Sequence, residues 1–124
     1  MPKGQSLYHQ YPDYQVALER NPERVRVTLH GELIADSTRT LIVRETRHAP
    51  VVYFPRETVR FEWLERTDHE SFCPFKGEAC YWNLHVGEHS EANAVWSYED
   101  PFEQVAGLAN YLAFYSDRDG LLQQ

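Results

Sequence analysis

A chain of 124 residues that is 42% hydrophobic, 25% charged and 14% aromatic has the profile of one ordinary globular domain, long enough to hold a core without staples. Its formal net charge of −7 excludes the concentrated basic face that nucleic-acid binding requires, and Glu19, Glu23 and Glu32 dilute the Arg20, Arg24, Arg26 group. No apolar run approaches the ~18 residues of a membrane span, and MPKGQSLYHQYPDYQ lacks the apolar centre of an export signal.

Residues 1–22 are expected to be an extended N-terminal segment. Pro2, Pro12 and Pro22 interrupt any helix, and Tyr8, Tyr11 and Tyr14 are placed to tack the segment onto a domain spanning 23–118. In VRVTLHG, Val25, Val27 and Leu29 alternate with Arg26, Thr28 and His30, the signature of a half-buried strand. A tight turn at Gly31 and Glu32 leads into LIADS, so the first two strands form a hairpin. TLIVRET (Thr40–Thr46) is β-branched and makes a third strand, and VVYF (Val51–Phe54) a fourth that Pro55 ends. RETV is a turn, and in RFEWLER the apolar Phe61 with Trp63 or Leu64 faces inward. TDHESF reads as a polar connector.

ACYWNLHVG alternates again, with Tyr81, Asn83 and His85 on one face and Cys80, Trp82, Leu84 and Val86 on the other. NAVWSY is a further strand. After Pro101 the period changes: Phe102, Val105, Ala106, Ala109 and Leu112 fall near helical spacing. Asp100 suits an N-cap and Pro101 a first helical position. YLAFYS is a last strand, and residues 119–124 form a frayed tail. The total is seven or eight short strands and one short C-terminal helix. Connections this short require antiparallel sheets.

Glu45, VYFP (Val52–Pro55), TDHESFCPFKGEACYW (Thr67–Trp82), VWSYEDP (Val95–Pro101) and LAFYSDR together resemble the family catalogued as domain of unknown function 427. The resemblance runs from about Val25 to Arg118. It implies a small, mainly β protein with two twisted antiparallel sheets, similar to the β-tent fold of some zinc-binding domains. The family carries a nucleotidyltransferase label. Many β-tent relatives hold zinc through paired CxxC knuckles. Here Cys73 and Cys80 stand alone with six residues between them, so neither metal nor other cofactor is expected. With no export signal, free thiols and a cytoplasmic location are expected.

Cys73 and Lys76 share a loop that Pro74 stiffens and Gly77 ends. A nearby ammonium favours a nucleophilic thiolate, and it also suits a phosphate or carboxylate as a point charge. Tyr53, Tyr81, Trp82, Trp96 and Tyr98 are candidate walls of a ligand site, since each joins a large apolar area to a polar edge. Core packing is their competing role, above all for Trp82 and Trp96. Among carboxylates, Glu45 at a strand end between Arg44 and Arg47 needs a partner such as Lys76 or an arginine. Asp117 and Asp119 fall in the tail, and Asp68 stands beside His69, four residues before Cys73. HESFC contains no second histidine, so His69 does not open a helical H-E-x-x-H zinc motif. The candidate site is therefore Cys73, Lys76 and Glu45 as chemistry-bearing groups, with Tyr53, Asp68, Tyr81, Trp82, Trp96 and Tyr98 as binding residues.

These features point to a small-ligand-binding domain, acting as binder or enzyme, for an anionic or nucleotide-like molecule. A non-catalytic interaction module, a homodimer joined through strand edges, is the alternative from a different class. A third is magnesium-dependent nucleotidyl transfer, which needs carboxylates converging on the metal. The sequence has neither a glycine-rich phosphate loop nor a Gly-Ser followed by a paired-aspartate strand.

Overall fold

Val25, Val27 and Leu29 are buried and Arg26 is exposed, so the two-residue period of this stretch becomes the strand β2 (Val25–Leu29). The computed structural model describes residues 5–124; Pro2 and the first residues of the N-terminal stretch lie outside them. Two residues at positive φ, His30 at 48° and Gly31 at 85°, turn β2 into β3 (Glu32–Ser37). β1 is Val16–Asn21, β4 Thr40–Glu45, β5 Val51–Pro55 and β6 Leu64–Cys73. β7 is Gly77–Val86, β8 His89–Ser97, β9 Tyr111–Phe114 and β10 Leu121–Gln123. Seven strands form one antiparallel sheet in the order β1-β4-β5-β9-β8-β7-β6, and three form another in the order β10-β2-β3. The domain is mainly β, as its sequence implies.

The larger sheet is covered on both faces, and this decides where chemistry can sit. One face carries Phe54, Trp82, Leu84, Val95, Leu112 and Phe114. It packs on Val27, Leu29, Ile34 and Leu121 of the smaller sheet and is apolar. The other face carries Val43, Tyr53, Ala79, Tyr81, Tyr98 and Ala113, and is covered in part by Phe102, Val105 and Leu108. β7 is thus buried on both sides from Ala79 to Trp82, while Asn83 is half-buried and His85 exposed further along it.

Four elements depart from the sequence expectation. The segment Glu103–Leu108 is two short 3-10 turns that meet at a kink, with Val105 at φ −129° and ψ 33° and Phe102 as N-cap, rather than an α-helix capped by Asp100. Phe102, Val105 and Leu108 are buried, one on each side of the kink and one at it, while Ala106 is exposed. TDHESF is strand, not connector, within β6. β6 is an edge strand with its register shifted between Arg66 and Glu70, and an edge tolerates the polarity that hides it. Within the N-terminal segment, residues 16–21 are β1, an edge strand laddered to β4. The expected frayed tail supplies β10: Leu121 is buried, and Arg26 and Gln124 exchange backbone hydrogen bonds of 2.8 and 2.9 Å. Among the described residues no helix is long and apolar enough to cross a membrane.

Gly77 opens β7 at φ 117°, and a Cβ there would stand 3.4 Å from Pro101 Cα and 3.5 Å from the Asp100 carbonyl oxygen. Those are ordinary van der Waals distances, so it is the backbone conformation that demands glycine. Gly77→Ala is expected to lower the unfolding free energy by about 1–3 kcal/mol, read as a reduced urea midpoint. An unchanged midpoint contradicts the strained backbone described.

Candidate functional site

The turn between β6 and β7, Pro74-Phe75-Lys76, is held from two sides. Lys76 N–H donates to the Cys73 carbonyl at 3.2 Å, and the Lys76 carbonyl accepts from Phe102 N–H at 3.0 Å. From outside, Leu7 N–H donates to the Pro74 carbonyl at 3.1 Å, and the Tyr8 hydroxyl donates to the Phe75 carbonyl. Tyr14 stacks on Phe75 with ring centroids 3.6 Å apart and an interplanar angle of 13°. The tyrosines of the N-terminal segment thus fasten it to this loop, through rings and hydroxyls together.

Held in this way, the Lys76 ammonium points inward and donates to Glu45 Oε1. Both side chains are only 10% exposed. The second Glu45 oxygen accepts from the Tyr14 hydroxyl and lies 3.9 Å from His48 Nε2. The Tyr98 ring lies 5.8 Å from the ammonium. Burying two charges is costly unless their remaining hydrogen-bonding capacity is met, and Tyr14 and Tyr98 help to meet it. Register explains how Glu45 arrives there: as the last residue of β4 it pairs with Val16, on the sheet face that Val43 and Leu41 share.

Beside the pair is a hollow of about 470 Å³. Val43, Val51, Tyr53, Tyr81, Trp96, Tyr98 and Tyr115 wall it, and Glu45, Lys76, Cys73 and His48 supply its other polar groups. Trp96 Nε1 donates to the Tyr53 hydroxyl oxygen at 3.1 Å, and Tyr81 Oη is 2.8 Å from Ser71 Oγ. Trp96 and Tyr115 pack at 4.6 Å with a 47° tilt. With this geometry in view, residues 17–123 match the family described as Domain of unknown function (DUF427). The chain belongs to that family. A comparison with curated proteins gives no match.

Of the residues singled out in this DUF427 sequence, Glu45, Tyr53, Cys73, Lys76, Tyr81, Trp96 and Tyr98 line the one hollow. Two others lie elsewhere. Trp82 follows Tyr81 and therefore faces the opposite side of β7, into the apolar core, with the Arg66 guanidinium 5.2 Å from its ring centroid. Asp68 is exposed on the bulged edge strand β6. The lining residues His48 and Tyr115 are additions to the sequence reading, as is the contact of Tyr14, expected only to tack the segment down, with Glu45. Tyr115 was discoverable, because it shares the parity of Tyr111 and Ala113 in YLAFYS; Tyr14 sits in a stretch with no period to read. Cys73 and Cys80 are both free thiols; the register sets Cys73 opposite Gly77 and Cys80 opposite Glu70.

Burial pushes the Tyr53 and Tyr98 phenols above their ordinary value, so both stay protonated and act as neutral hydroxyls. Burial pushes the Cys80 thiol up to about 11, which leaves it inert. Burial alone would raise Glu45; the hydrogen bonds from Lys76 and Tyr14 and the Lys76 charge outweigh it, and the carboxyl sits below the usual glutamate range. Among the described residues no group of three or more His, Cys, Asp or Glu is placed to hold a metal ion.

A carboxyl whose folded-state pKa lies below its ordinary 4.5 adds stability that is complete above that value and is lost as pH falls through the folded one. Glu45→Gln leaves the Lys76 ammonium buried without its counter-charge. It is expected to lower stability near neutral pH by about 3–5 kcal/mol. The gap to wild type should then narrow as pH drops below about 5, in urea midpoints taken across the acid range. Parallel curves for the two proteins contradict the pairing.

Proposed function

We propose that this chain is a small-ligand-binding β domain whose ligand is a planar molecule, neutral overall, with hydrogen-bond acceptors along one edge. The observation that carries this reading is the convergence of one ion pair, one free thiol and four tyrosines with a tryptophan on a single hollow of about 470 Å³. A concave site of a few hundred cubic ångströms, mostly aromatic with a few convergent polar groups, suits a small organic molecule.

The charge balance narrows the class. Lys76 was read from the sequence as a contact for an anion, but its ammonium is already matched by Glu45. A ligand bearing full negative charge would have to compete with that carboxylate at close range, at a cost that grows with burial. A neutral heterocycle can instead accept from the Tyr53, Tyr81 and Tyr98 hydroxyls and lie along the rings of Trp96 and Tyr115. Cys73 in the wall places a nucleophile within reach of such a ligand. Binding accounts for the tyrosine lining without requiring transfer chemistry.

A thermal-shift screen of nucleobases, nucleosides and aromatic acids tests this. A neutral planar compound is expected to raise the melting temperature of the wild-type protein, and its affinity should fall by about tenfold in Trp96→Leu and in Tyr53→Phe. Stabilisation by aromatic acids alone, or by a compound that both variants bind as tightly as wild type, contradicts the assignment.

A further inference from the structure

The aromatic face of the larger sheet has a second hollow, at the end of β4 away from Glu45. It measures about 530 Å³ and is lined by Arg20, Thr38, Arg39, Leu41, Tyr111 and Pro22 among others. No Asp or Glu lines it. Arg20 stands opposite Leu41 in the β1–β4 ladder, and Arg39 enters from the turn between β3 and β4. Two guanidiniums therefore flank one cleft in a chain whose net charge is −7.

The nearby carboxylates do not neutralise the pair. Glu19 accepts from Arg44 Nε at 2.5 Å. Among the described residues Arg20 has no ion-pair partner. Arg39 donates from Nη2 to Glu57 at 3.0 Å, but those two side chains are 64% and 63% exposed. An ion pair that open to water is weak and yields to a better-held anion. The tyrosine pocket holds the reverse arrangement, a buried cation already matched.

We infer that this cleft is a binding site for a phosphate monoester. A doubly charged phosphate uses both guanidiniums at once, each through paired N–H donors, whereas a carboxylate saturates one of them. Thr38 adds a hydroxyl donor, and Leu41, Pro22 and the Tyr111 ring offer an apolar surface to the organic part of the ester. The site is separate from the hollow beside Lys76 and does not depend on what that hollow binds.

Phenyl phosphate titrated into the full chain, followed by two-dimensional 1H–15N spectra, tests the assignment. Saturable shifts are expected at the amides of Arg20, Asn21, Thr38 and Arg39. Phenyl phosphate should bind more tightly than inorganic phosphate, which lacks the apolar part, and more tightly than benzoate, which lacks the second charge. Arg20→Gln and Arg39→Gln should each weaken binding by about tenfold. Glu57→Gln, which frees Arg39, should tighten it several-fold. All three positions are exposed, so the spectra of the variants report whether the fold is kept. Benzoate binding as tightly as phenyl phosphate overturns the phosphate class. Shifts gathered around Lys76, shifts that do not saturate, or affinities unmoved by either arginine substitution overturn the site.

Discussion

A lysine ammonium folded inside a domain this small must be matched, and Glu45 matches Lys76. Much of the architecture around the pair serves that one requirement. β4 ends on Glu45, and β1 fixes its register by pairing Val16 with it. The Cys73–Gly77 turn places Lys76, with Gly77 at φ 117° leading into β7 and the Lys76 backbone held by Cys73 and Phe102. The N-terminal segment closes the arrangement from outside, with Tyr14 bound to the carboxylate by its hydroxyl and to Phe75 by its ring. If either charge were lost, the other would remain buried with hydrogen bonds unmade, which costs more than the pair itself contributes.

The two faces of the larger sheet divide the labour. One meets the smaller sheet through aliphatic and phenyl groups and supplies hydrophobic stability. The other is rich in tyrosine and only partly covered by the 3-10 segment, so hollows remain at both ends of β4. At one end the cation is internally compensated and the surroundings are neutral hydroxyls. At the other, two arginines lie on the surface with one exposed carboxylate within reach of Arg39. A single sheet face thereby presents two different electrostatic environments to solutes.

Much of the fold was legible because alternation survives wherever one strand face is apolar. Val25–Leu29 and Cys80–Val86 declared their faces residue by residue, and with them the separation of Tyr81 from Trp82. The edge strands were harder. β1, β6 and β10 each bury little or lie in short, charged stretches, so the core imposes no clear pattern on them. The segment after Pro101 misled for another reason: spacings of three and of 3.6 residues differ little over two turns, and Gly107 does not separate them. The site was legible as a set of residue types around Cys73–Gly77. Its electrostatics were not, since the commitment of Lys76 to Glu45 depends on strand order, and Tyr14 reaches the carboxylate from a segment with no periodicity of its own.

The most direct measurement is the side-chain 15N spectrum of Lys76 near neutral pH. A buried ammonium hydrogen-bonded to Glu45 exchanges its protons slowly, so its Nζ–H signal should be resolved in the wild-type protein and lost or displaced in Glu45→Gln. A Lys76 signal averaged with solvent like that of a surface lysine, in wild type as in the variant, would contradict the account at its base.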